Sequence, residues 1–109
     1  MGIAAEWTPL LLFGTGGLTT TLDLTVAEMF AIAQGAASLP GQWSAISQCS
    51  SNGVTYAGLI APGTERVSIL IGRDIEGLYV ARAGGEVMAR GCASVTDALT
   101  AVRWSLRQV

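Results

Sequence analysis

Residues 42–91 limit the possible fold more than any other part of the chain, because their apolar side chains recur at about every second position. This spacing is typical of β-strands that bury one face. Short turns that contain glycine divide the stretch into segments of strand length. The predicted strands span residues 43–50, 54–60, 67–71, 78–83 and 86–91. Because tight turns join successive segments, the pattern predicts an antiparallel sheet built from hairpins.

The first hairpin is predicted from Asn52-Gly53, the residue pair most favoured in a tight type I′ turn. The register that such a turn sets places Cys49 opposite Tyr56 and Ala45 opposite Ile60. Both faces of this hairpin then carry apolar residues.

The later strands follow the same pattern. Val67, Ile69 and Ile71 form the inward set of the third strand, and residues 73–77 are predicted to be a charged loop. A second hairpin turns at residues 84–85. Its register is predicted to pair Tyr79 with Arg90 and Val80 with Ala89.

Two segments with helical spacing flank the strands. The first begins at Thr25, which has the spacing of a capping box with Glu28, and Pro40-Gly41 ends it. Its predicted inward face consists of Val26, Met29, Phe30, Ala33 and Ala37. The second begins after Ser94, with Asp97 near the positive end of the helix dipole. Its predicted inward stripe consists of Val95, Ala98, Leu99, Val102, Leu106 and Val109.

The N-terminal part adds two predicted strands ahead of the first helix. Residues 7–13 are apolar and end at a glycine-rich turn, with a short helix from Pro9 as the alternative. Residues 18–24 alternate leucine with threonine. The order β-β-α-β-β-β-β-β-α predicts one α+β domain over residues 1–109. Its antiparallel sheet of about five strands is expected to carry both helices on one face.

Charge and hydropathy narrow the classes of partner. The net charge is −2, the isoelectric point is near 4.8 and only 13% of residues are charged, so the basic stripe of a nucleic-acid binder is missing. The early apolar run at residues 10–13 is far shorter than the ~20 residues that a membrane span needs. The two cysteines, Cys49 and Cys92, fit no metal-binding spacing and are expected to be buried thiols. We therefore expect a cytoplasmic protein that binds neither nucleic acid nor membrane.

Several common chemistries lack their residues in this chain. It contains no histidine and no lysine, which excludes histidine-based triads, the Walker A lysine and lysine Schiff bases. Gly14-Thr15-Gly16-Gly17 resembles a phosphate-binding turn, but a strand is predicted after it in place of the helix that would hold the phosphate. The sequence predicts no cofactor, no metal and no catalytic residue, and so favours a protein that is not an enzyme.

One side chain of the last helix lies outside its apolar stripe. A helical wheel places Trp104 opposite the centre of the stripe, with Arg103 and Arg107 on one side and Ala101 on the other. An exposed indole costs solubility unless something covers it, and tryptophan and arginine are enriched at binding hot spots. Either the N-terminal segment around Trp7 covers this face, or a partner does.

The favoured hypothesis is a small protein-binding module that is not catalytic. Its partner is another protein or a second copy of the chain, as in an inhibitor, an immunity protein, a regulatory subunit or a homodimer. The alternative is a small-molecule binder or minor enzyme with a pocket on the uncovered face of the sheet. The polar residues predicted for that pocket are Tyr56, Tyr79, Arg90 and Cys92. Cys92 precedes the last helix, whose N-terminus could lower the pKa of its thiol.

Overall fold

A computed structural model describes residues 22–107 as an α+β fold. The elements are α1 (Val26–Ala37), β1 (Ser44–Cys49), β2 (Thr55–Ile60), β3 (Val67–Asp74), β4 (Gly77–Arg82), β5 (Val87–Cys92) and α2 (Val95–Arg107). The predicted class is confirmed, as are the five strands between the two helices. The predicted β-β start is slightly off, because residues 22–25 are not part of a strand. The predicted segment at residues 7–13 and most of that at 18–24 lie outside the described residues.

The five strands form one antiparallel sheet in the order β1-β2-β3-β4-β5. Both helices pack on one face, with α1 over β1 and β2, α2 over β4 and β5, and the helices in contact with each other. The other face, which we call the open face, carries neither of these helices. The core lies between the helices and the sheet, and its fully buried side chains include Ile32, Leu59, Ile71, Leu78, Val80 and Val102.

The first hairpin has a register one residue away from the prediction. Cys49 lies opposite Thr55, and Ala45 lies opposite Leu59. The loop contains three residues, because the Ser50 amide donates to the Val54 carbonyl at 2.9 Å. Gly53 has φ 86° and ends this longer turn, which is the common three-residue hairpin with a glycine bulge. Asn-Gly therefore marked the turn correctly but predicted the wrong loop length.

The predicted charged loop at residues 73–77 is wrong, because the hairpin between β3 and β4 has only two residues in its turn. Asp74 pairs with Gly77, and the Asp74 carboxylate accepts a hydrogen bond from the Glu76 amide at 2.8 Å. This bond lets the aspartate fix a tight turn. Farther along, Val80 pairs with Ala89 as predicted, but the register shifts on both sides of that pair.

The N-terminal cap of α1 is confirmed, but the predicted inward face of α1 is wrong. Thr25 and Glu28 exchange the two hydrogen bonds of a capping box, at 3.1 and 2.8 Å. Val26 is 87% exposed and Phe30 is 65% exposed, and the predicted Ala33 and Ala37 are exposed too. The helix instead buries Ile32 and Ala36, with Met29 packed beside them.

A charged contact explains in part why α1 buries a different face from the predicted one. Arg73 of β3 donates to both carboxylate oxygens of Glu28, with Arg73 Nη1 to Glu28 Oε1 at 3.0 Å, and the same Nη1 donates to the Asp23 carbonyl at 3.0 Å. Hydrogen bonding to Arg73 lowers the pKa of Glu28. The contact turns the Glu28 side of α1 towards the sheet, and so turns Phe30 away from it.

The last helix agrees with its prediction. Ser94 Oγ accepts a hydrogen bond from the Asp97 amide at 3.2 Å, as expected for the N-cap. Ala98, Leu99 and Val102 are buried, whereas Val109 lies outside the described residues. The polar and apolar residues of α2 are clearly separated, so its periodicity determined which face is buried.

Candidate binding surfaces

The first surface is on the outer side of α2, where Trp104 is 63% exposed. We call Ala101, Arg103, Trp104 and Arg107 the Trp104 patch. Arg107 is exposed, while Ala101 and Arg103 are partly buried. On the opposite side of the helix, Leu99 packs against Gly35 of α1. Trp104 therefore points away from α1.

Contacts within the fold hold α2 in this orientation. Ser105 Oγ donates to the sulfur of Met88 on β5 at 3.2 Å, which fixes the neighbouring turn of the helix against the sheet. Neither Arg103 nor Arg107 forms an ion pair with another side chain among residues 22–107. Within this part of the chain the patch thus combines one large apolar side chain with two positive charges that have no acidic partner.

The second surface is the open face, which brings together three of the four residues predicted for a pocket. Tyr79 lies close enough to Tyr56 for an electrostatic effect on its phenol, and Asp74 binds Arg90 beside them at 3.0 Å. Burial, and then the nearby Tyr56 and Asp74, raise the pKa of Tyr79. The Tyr79 ring covers Gly72, where a Cβ would lie 2.5 Å from the tyrosine oxygen.

Cys92 does not join this group. It pairs with the buried Leu78 and packs against the core on the side of the sheet that the helices cover. The register shift between Leu78 and Val80 places Cys92 on the face of Leu78 and not on the open face, and no local pattern in the chain predicts this shift. Burial, and then the charge of Asp97, raise the pKa of the Cys92 thiol, so the lowering considered from its position before α2 is not found. Both cysteines are free, and Cys49 is exposed where a buried thiol was expected.

A third surface was missed by sequence reasoning. It is the outward stripe of α1, formed by Val26, Phe30, Ala33 and Ala37, together with the neighbouring edge strand β1. Gly35 is the signal in the sequence that could have revealed this surface. A lone glycine within a helix often marks the side that contacts another helix, and the outward stripe lies on the opposite side. At 100° per residue, Phe30 lies about 140° around the helix from Gly35, and so faces away from α2.

Residues 22–107 form no pocket and contain no group of three side chains suited to hold a metal ion. No helix in this range is long and apolar enough to cross a membrane. The predicted glycine-rich turn at residues 14–17 lies outside the described residues. Comparisons with protein-family models, curated proteins and solved structures find no match to this chain.

Proposed function

We propose that this chain is a small protein-binding module that docks onto another protein through the Trp104 patch and does not itself catalyse a reaction. An inhibitor, an immunity protein or a regulatory subunit would work in this way. The observation that carries the proposal is the exposure of Trp104, 63% of whose surface is open to solvent on a well-packed helix. Tryptophan and arginine are the residues most enriched at binding hot spots, and the Trp104 patch combines both.

The exposed indole is large enough to anchor a complex. An exposed fraction of 63% corresponds to roughly 150 Å² of a tryptophan side chain, and burying it would contribute about 4 kcal/mol. This is within the range of measured hot spots. The energy is available without refolding, because α2 already presents the side chain.

The charges beside Trp104 indicate the chemistry of the partner. Arg103 and Arg107 flank the indole and lack acidic partners among residues 22–107. A partner with an apolar hollow bordered by aspartate or glutamate would complement both features. Ion pairs at the rim of an interface mainly accelerate association, so raised salt should slow binding more than it speeds dissociation.

The test compares two single substitutions at equally exposed aromatic residues. Trp104→Arg removes the patch, and Phe30→Arg is the matched control because Phe30 is 65% exposed on α1. A photoreactive residue at position 107 first identifies the protein that contacts the patch in the source cell. The purified partner is then titrated with both variants. The proposal expects Trp104→Arg to lose at least about 30-fold in affinity and Phe30→Arg to bind like wild type. Equal affinity for all three proteins would contradict it.

The proposal includes a cytoplasmic location. Cys49 and Cys92 are both free, and Cys49 is exposed. Exposed free thiols persist in the reducing cytoplasm, whereas exported proteins usually pair their cysteines.

A second candidate function is the binding of a small molecule on the open face. The observation in its favour is the grouping of Tyr56, Tyr79 and Arg90 there, since aromatic rings and a guanidinium group suit a planar anionic ligand. Screening by thermal shift over nucleotides, sugars and common metabolites tests it. A stabilising ligand whose effect disappears in Tyr79→Ala would support this function, and a flat screen would count against it.

A further inference from the structure

The two edges of the sheet differ in how well they are protected against pairing with another strand. β1 and β5 are the edge strands, and each has one side that pairs with no strand of residues 22–107. β5 is irregular, because its register with β4 shifts twice and Gly91 has φ 65°. It also carries the exposed Arg90. Bulges and charges of this kind are the usual means of preventing edge-to-edge association.

β1 has none of these protections. It pairs with β2 through six residues without a register shift, and its sequence, Ser-Ala-Ile-Ser-Gln-Cys, contains no charge and no proline. A regular, neutral edge whose outer backbone N–H and C=O groups pair with no strand of residues 22–107 is a template for an additional strand. The contrast with β5 identifies β1 as the edge that is open to pairing.

Exposed apolar side chains lie on both sides of β1. On the open face, Ile46 is 40% exposed. Above the other face runs α1, whose outward stripe of Val26, Phe30, Ala33 and Ala37 points away from α2. We call this stripe together with β1 the β1–α1 flank. No residue of the flank is charged. The only charged residue of α1, Glu28, lies outside the flank and is bound to Arg73.

We propose that the β1–α1 flank binds a second copy of this chain, with β1 of each copy pairing antiparallel around a two-fold axis perpendicular to the sheet. The two five-stranded sheets then become one, and the two α1 helices pack side by side on the same face. A second copy fits because the flank is neutral, so two copies do not repel each other. The backbone groups along the outer edge of β1 are both N–H donors and C=O acceptors, so each strand supplies what the other needs.

The symmetry restricts the register. A two-fold axis perpendicular to the sheet keeps every side chain on its own face, so a residue near the axis must lie opposite its own copy. The centre of the six-residue strand is therefore the pair of Ile46 with the partner's Ile46 or of Ser47 with the partner's Ser47. Pairing of β1 with β5 of another copy would instead form open chains, and the irregular register of β5 opposes it.

The area of the flank reaches the lower limit for an interface between two copies. β1 is about 20 Å long and α1 about 18 Å, and the strand edge with the helix above it is about 20 Å high. This gives a flat area of roughly 400 Å² on each copy, or about 800 Å² for both, before the relief of the side chains is included. Side-chain relief brings the total to about 1,000 Å², the lower limit for a biological interface.

The first test is the mass of the full chain in solution, measured by sedimentation equilibrium over a concentration series. Wild type is expected to dimerise. Phe30→Arg should raise the dimer dissociation constant at least about 30-fold, whereas Trp104→Arg should leave it unchanged. Circular dichroism verifies that each variant is folded, which the exposure of both side chains favours. A monomeric wild type would overturn the proposal, whether residues 1–21 cover the edge or nothing does. Dimers that are weakened by Trp104→Arg and not by Phe30→Arg would overturn it too.

A second test locates the interface even if Phe30→Arg should fail to fold. In a Cys49→Ser background, Ile46→Cys and Ser47→Cys place a thiol near the axis, where one pair would be within disulfide distance. Val87→Cys on β5 is the control. A disulfide-linked dimer from position 46 or 47, and none from position 87, supports the β1 pairing. Cross-linking at position 87, or at none of the three, overturns it. Because Trp104 takes no part, failure here leaves the proposed function untouched.

Discussion

Gly35 of α1 lies directly against Leu99 of α2, and replacing the glycine by alanine should change the free energy of unfolding with a sign that depends on Leu99. A Cβ at position 35 would lie 2.1 Å from Leu99 Cδ1, and the two next nearest atoms also belong to Leu99. Alanine should gain about 1 kcal/mol from helix propensity. Overpacking against Leu99 should cost about 1–3 kcal/mol. The net expectation is a loss of about 1 kcal/mol in the free energy of unfolding.

Truncating Leu99 should reverse this sign. Leu99→Ala alone should cost about 2–5 kcal/mol, because the side chain is buried. It also removes the three atoms that oppose a methyl group at position 35. In that background, Gly35→Ala keeps the gain of about 1 kcal/mol from helix propensity and loses the clash. The two substitutions should therefore be coupled by about 2 kcal/mol.

The assay is urea unfolding of wild type, Gly35→Ala, Leu99→Ala and the double variant, monitored by circular dichroism. The free energies of unfolding are compared on condition that the four m-values agree. Ala33→Gly, at an exposed site on the same helix, controls for propensity and should cost about 1 kcal/mol in either background. If Gly35→Ala stabilises the protein equally with and without Leu99, the helices do not approach each other here. The orientation of both α1 and α2, and of the surfaces they carry, would then be wrong.

Three further predictions follow from the perturbed ionisable groups. The pKa of Glu28 is lowered from about 4.5, so its carboxylate stabilises the fold above that pH, and the stability difference between wild type and Glu28→Gln should shrink as the pH falls below it. In a Tyr56→Phe variant, ultraviolet titration should show that the pKa of Tyr79 lies above its ordinary value of 10.0, because burial opposes the phenolate. Iodoacetamide should modify the exposed Cys49 faster than Cys92, whose pKa is raised by burial, and equal rates in the single-cysteine variants would refute this.

The order of strands was predictable because each hairpin is marked by local residues. A glycine lies in or directly after every turn between successive strands, and period-two spacing identified all five strands. The register of the first hairpin was not predictable in the same way. Asn52-Gly53 fits both a two-residue and a three-residue loop. A two-residue type I′ turn needs a positive φ at both residues, whereas here Gly53 has one and Asn52 does not.

The two helices show when periodicity identifies a surface. In α2, the apolar residues form one narrow stripe and the polar residues lie outside it, so the sequence places Trp104 outside the core. In α1, nearly every residue is apolar or small, so hydropathy fits several faces equally well. Its orientation is set by tertiary contacts of Glu28 with Arg73 and of Gly35 with Leu99, which no local pattern contains. The β1–α1 flank was missed for that reason.

The open face was predicted in part. Tyr56 and Tyr79 were expected to face the same side of the sheet, and they do, because alternation holds through β2, β3 and the start of β4. Cys92 was assigned to the same face and lies on the other one. The register shifts of β5 account for the difference, since one extra residue reverses which face a side chain occupies.

The most direct test of the central claim is the affinity of wild type and Trp104→Arg for the protein that contacts position 107 in the cell, measured by calorimetry with Phe30→Arg as the control. The Trp104 patch predicts that only Trp104→Arg loses affinity, by at least about 30-fold. If Trp104→Arg binds as tightly as wild type, the exposed indole is not the docking site, and the proposed function is contradicted.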